Sequence, residues 1–132
     1  MEHEITVSQK PNYLHIKLTG KNNPLSIAGY IEEMIQISKQ HNSSMLLIEG
    51  NLRGLSLNFL DIYHIVSDTI RKRLDPIRTV AYVNGNPNRS AQNSKFAETV
   101  ASNRGLMLKI FTNIAEAESW LEEIIQTGQI LT

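Results

Sequence analysis

The chain repeats one unit, a short run of β-formers followed by a stretch whose apolar residues recur every three or four positions. Its last copy shows this most plainly. Leu106-Met107-Leu108-Lys109-Ile110-Phe111 is short and largely apolar, and beyond it Ile114, Ala117, Trp120, Leu121 and Ile124 fall on one helical stripe. Parallel strands cannot be joined by a two-residue turn; each pair needs a crossover of a dozen or more residues, usually a helix. The alternation therefore confines the chain to the α/β class, with a mostly parallel sheet carrying helices on its faces.

Read from the start, the elements follow the order ββαβαβαβα with five strands. Ile5 to Ser8 is the first β run, and Lys10-Pro11-Asn12 is turn chemistry. Tyr13-Leu14-His15-Ile16-Lys17-Leu18 alternates polar and apolar, so the two runs form an opening hairpin. A loop is expected from Gly20 to Pro24. Ile27, Tyr30, Ile31, Met34 and Ile35 mark the first helix, ending near His41-Asn42. Met45-Leu46-Leu47-Ile48 is a continuous apolar run, as in a strand covered on both faces, and a break is expected over Asn51-Leu52-Arg53-Gly54. Phe59, Ile62, Tyr63, Val66 and Ile70 form the stripe of a second helix, closed by Leu74-Asp75-Pro76. Thr79-Val80-Ala81-Tyr82-Val83 is the next strand, and Asn84-Gly85-Asn86-Pro87-Asn88 a strong turn. A third helix runs from about Ser90, with Phe96, Ala97, Val100 and Ala101 on its buried side and Gly105 after its end. Asn113 caps the fourth helix, with Glu116 three residues on.

At 132 residues, residues 1–132 are read as a single domain. Thirteen basic residues balance thirteen acidic ones, which argues against nucleic acid as a partner. The local run Arg71-Lys72-Arg73 reads as a solvated helix end. There are no cysteines, so disulfides, thiolate catalysis and cysteine-based zinc sites are excluded. The opening Met1-Glu2-His3-Glu4 is acidic and unlike a signal peptide, and no apolar stretch approaches the ~20 residues of a membrane span. A cytoplasmic protein is the expectation.

The last third of the chain carries a family resemblance. Thr79–Val83 as a strand, then a helix, then Lys109-Ile110-Phe111 and Ala115-Glu116-Ala117-Glu118-Ser119-Trp120-Leu121 resemble the SpoIIAA-like proteins, relatives of the STAS (sulfate transporter and anti-sigma factor antagonist) domains, sometimes labelled STAS/SEC14. The likeness in element order spans nearly the whole chain, and the motif itself about the last fifth. It implies a non-enzymatic regulatory module that binds another protein. Family members include antagonists switched by phosphorylation of a serine in the loop before the second helix, usually within an Asp-Ser-Ser-Gly motif. Here that stretch is Gly50 to Asn58; Ser56 is its serine, and the motif is missing. Ser56 is thus the candidate phosphorylation site, and a helix cap is the simpler reading of the same residue. The SEC14 label implies a second possibility, a small apolar ligand or lipid.

The residues offer three further candidates. Leu52, Leu55 and Leu57 cluster near Ser56 and form a partner or ligand surface if exposed, or a staple if folded under the helix. Asn84, Gly85, Asn88, Arg89 and Ser90 leave a strand and enter a helix, where N–H groups can hold an anion or nucleotide phosphate, although no Gly-x-Gly-x-x-Gly or Gly-Lys-Ser/Thr is present. A hydrolase would need a nucleophile elbow, and Gly54-Leu55-Ser56-Leu57-Asn58 lacks its last glycine; His64 lies two helical turns beyond Ser56. His3, His15, His41 and His64 show no metal-ligand spacing, so no metal and no cofactor are expected.

Overall fold

The computed structural model describes residues 3–71 and 74–128; Lys72 and Arg73 of the basic run, and Met1 and Glu2 of the terminus, lie outside them. Five strands form one sheet: β1 (Glu4–Gln9), β2 (Leu14–Lys21), β3 (Met45–Arg53), β4 (Thr79–Asn84) and β5 (Met107–Phe111). Their spatial order is their chain order. β1 runs antiparallel to β2, and β2 through β5 are mutually parallel, so the sheet is mixed as the sequence implies. The helices are α1 (Pro24–His41), α2 (Phe59–Arg71), α3 (Ala91–Ser102) and α4 (Ile114–Thr127).

Alternation along β3 sends successive side chains to opposite faces and so builds two cores. Leu46, Ile48 and Leu52 join Leu14, Ile16 and Leu18 of β2 and Tyr30, Met34 and Ile35 of α1. Met45 and Leu47 point the other way, to Ala81, Val83, Phe111 and the Ala117, Leu121 and Ile124 stripe of α4. Helix ends follow side-chain chemistry. Asn23, Ser90 and Asn113 accept hydrogen bonds from the first-turn N–H groups of α1, α3 and α4, and Asn42 closes α1 in the left-handed conformation.

Two strands run further than the sequence suggests. β2 continues through Gly20 to Lys21, and β3 through Gly50 to Arg53, where a loop and a break are expected. Both glycines make room for a tyrosine. A Cβ at Gly20 would stand 2.3 Å from the Tyr30 hydroxyl, and one at Gly50 only 1.8 Å from that of Tyr82. A glycine in a strand can mark such a close approach rather than a stop. His3 packs against the same tyrosine: its ring lies 4.9 Å from that of Tyr30, and its Nε2 meets the Glu33 carboxylate.

Candidate functional site

Three helices share one face of the sheet, and they do not share it evenly. The backbone of α1 comes close to β2 and that of α3 to β5, while the backbone of α2 comes close to α1 and α3 and stands farther from the strands. Neither α2 nor α3 contributes to the core built on β2, β3 and α1. α2 thus bridges its neighbours above the middle of the sheet, and beneath it lies a cavity of about 280 Å³. Its floor includes Leu46, Ile48, Val80, Tyr82 and Leu108, and its roof Ile62, Ile65 and Val66. The stripe of α2 is only partly covered as a result. Ile62 is buried, but Phe59 is 49% exposed and Tyr63 40%.

Polar groups gather at one end of this cavity, where the parallel strands finish. Asn22 follows β2, Ser56 and Leu57 follow β3, Asn84 ends β4, and Asn86, Arg89, Ser90 and Asn93 come after it, all lining the cavity. This is the end where α/β sheets place ligands. Four asparagine amides hold the loop ahead of α2. Asn22 donates to the Leu55 carbonyl at 2.8 Å, Asn86 and Asn88 to that of Gly54 at 3.1 and 3.0 Å, and Asn93 to that of Leu57. Asn86 is 3% exposed and fully engaged, since its side-chain oxygen accepts from the Asn88 N–H and its carbonyl from the Arg89 N–H. These contacts fasten the loop to the rim of the mouth.

The sequence candidates divide at this mouth. Leu52 is buried in β3, Leu57 is half-buried and lines the cavity, and Leu55 is 80% exposed. Ser56 is exposed and does not cap α2; its hydroxyl donates to the Asn88 carbonyl, and Asn58 caps instead, accepting from the Asp61 N–H at 2.7 Å. The cap assignment for Ser56 fails because α2 begins at Phe59, which puts Asn58 immediately before the first helical residue. At the turn after β4, the Gly85 N–H goes to the Gly50 carbonyl at 2.8 Å, and those of Asn88 and Arg89 go to Asn86. The Asn84 side-chain oxygen accepts from the Asn86 N–H, and the Ser90 hydroxyl from that of Asn93. The turn satisfies much of its own backbone, and Arg89 is exposed on it and lines the mouth.

Sequence reasoning missed Tyr82, Asn22, Asn86 and Asn93. Tyr82 belongs to a strand pattern that gives no sign of what faces it. In the structure its hydroxyl has no hydrogen-bond partner among the described residues, and burial pushes its pKa up to about 12. The asparagines did leave a signal, because they recur just after β2 and β4, on loops that must meet at one end of the sheet. On the opposite face, His15 meets Glu49 at 2.5 Å as a separate pair outside the cavity. No cluster of three metal-ligating side chains occurs among the described residues, and no described helix is long and apolar enough to cross a membrane.

No family model matches the chain, and no curated protein matches it. Among solved structures it is similar to an uncharacterised protein of the DUF3478 family from Shewanella loihica PV-4, which has a SpoIIAA-like fold. The superposition has a TM-score of 0.53 at 18% identity and covers 90% of this chain and 93% of that one. The chain therefore has the SpoIIAA-like fold that its last third resembles.

Proposed function

We propose that the protein is a non-enzymatic binding module that holds a small apolar ligand beneath α2. The cavity of about 280 Å³ carries this reading. Close-packed interiors hold few voids larger than a water molecule. This space is lined mostly by apolar side chains and opens to solvent, so an apolar guest entering it would remove that lining from water. Apolar walls with a few polar groups converging at one end are also the usual form of a small-molecule site.

Ala97 supplies the test. It lines the cavity from α3 at 9% exposure, and leucine suits a helix. Ala97→Leu should fill part of the space, raise stability by ~0.5–1 kcal/mol, and weaken binding of the neutral fluorophore N-phenyl-1-naphthylamine about tenfold. Unchanged probe binding in a folded Ala97→Leu protein would place the ligand elsewhere.

A protein partner, expected from the resemblance, keeps one observation in its favour. Leu55 at 80% exposure, Leu60 at 63% and Phe59 at 49% lie around the start of α2. Leu55→Asp should preserve thermal unfolding and probe binding while abolishing capture of a partner; capture at the wild-type level would retire this surface.

A further inference from the structure

The cavity is apolar along most of its length and polar at one end, and that asymmetry describes its ligand. Thr69, Leu74, Ile77 and Leu106 line it away from the strand ends, whereas asparagine, serine and Arg89 line it at the mouth. Among the described residues that line it, Arg89 alone carries a full charge, and none is an aspartate or glutamate. Arg89 has no carboxylate partner among the described residues. Its Nη1 reaches the Asn86 carbonyl at 3.4 Å, a long contact that leaves most of the guanidinium's five N–H donors uncommitted.

The neighbouring amides are neutral, and those of Asn22, Asn86, Asn88 and Asn93 each commit one of their two N–H donors to the loop before α2, so Arg89 is the stronger anchor for an anion. A second donor does stand at the same end of the sheet. The Tyr82 hydroxyl lies over Gly50, whose carbonyl holds Gly85 of the rim, and it has no protein partner among the described residues. A wholly apolar guest would leave both groups unanswered.

We infer that the ligand is a single-chain amphiphile with an anionic head, its tail under α2 and its carboxylate or phosphate at Arg89. This rests on the reading of the cavity as a ligand site. A guanidinium matches either anion with paired N–H donors. The tail is short. A space of about 280 Å³ is on the scale of a single medium-length chain.

The test is displacement of N-phenyl-1-naphthylamine at neutral pH, below micelle-forming concentrations, by decanoate, decyl phosphate and decanol. An exposed ion pair contributes up to ~1 kcal/mol, about fivefold in affinity. Arg89→Gln should therefore weaken decanoate or decyl phosphate about three- to fivefold and leave decanol unchanged, Arg89→Lys should restore part of the loss, and added salt should shrink the difference. The anion weakened more identifies the head. Equal effects of Arg89→Gln on decanol and on both anions would overturn the anionic head while leaving the cavity reading intact. Failure of all three compounds to displace a bound probe would also overturn it. A probe that never binds the wild-type protein would instead remove the cavity reading on which the inference stands.

Discussion

Both faces of the sheet are covered by amphipathic helices, yet one is close-packed and the other holds a cavity. α4 lies directly on β3, β4 and β5, with Ala117 and Leu121 fully buried against Leu47 and Ala81. Alanines on both sides of that contact let helix and sheet approach closely. On the other face α1 and α3 take the two flanks, and the backbone of α2 runs between them, farther from the strands. The difference lies in what each helix stands on. An apolar stripe shows that a helix has something to bury against, and not how near it will sit.

The largest expected effect tests this contrast directly. Leu121→Ala removes a side chain with no exposed surface from a packed contact and should cost about 3–4 kcal/mol, within the range for buried leucines. Ile65→Ala, on the roof of the cavity, removes a half-buried chain whose neighbours already include empty space and should cost ~1 kcal/mol or less. Urea unfolding of the two variants measures both. Equal losses would mean that α2 is packed as tightly as α4.

The second effect isolates the polar group inside the hollow face. The Tyr82 pKa is raised from 10.0 to about 12 by burial, so the folded protein holds this proton more tightly than the unfolded chain does. The stabilisation is fully present below pH 10. Above it the unfolded chain ionises first, and stability falls as pH rises toward 12. The loss is on the order of 2–3 kcal/mol. Tyr82→Phe should match wild type near neutral pH, where the hydroxyl has no protein partner, and should lack this alkaline slope. Denaturant midpoints of the two proteins from pH 9 to 12 provide the check, and parallel curves would show that Tyr82 is freely solvated.

Much of this was legible in the residues. The strand-helix alternation gave five strands and four helices in the right order, and Asn113 caps α4 through the Glu116 N–H as its spacing suggests. Local chemistry is enough for such features. It is not enough where two distant segments meet. Gly20 and Gly50 read as strand ends, because nothing nearby announces the tyrosines that lie over them. Ser56 reads as a cap, because the exact first residue of α2 decides between it and Asn58. The cavity was invisible for the same reason. Leu57 and Arg89 were noticed as members of separate candidate sites, and only the fold brings them to one mouth.

Gly50→Ala carries the contrast furthest, although its expected cost is smaller, ~1–2 kcal/mol, at the mild end of overpacking. The new methyl group would fall 1.8 Å from the Tyr82 hydroxyl and 2.2 Å from the ring carbon that bears it, so the ring must move. Beneath α4 there would be nowhere to go. Beside the cavity the ring can swing into open volume, which limits the energetic cost and transfers it to the ligand. Gly50→Ala should therefore weaken binding of the naphthylamine probe more than its modest loss of stability suggests. Adding Tyr82→Leu, which shortens the obstructing side chain, should recover both stability and binding, a coupling visible in a double-mutant cycle. If the two substitutions instead add independently, Tyr82 does not border the ligand space, and the hollow face owes its emptiness to something other than the height of α2.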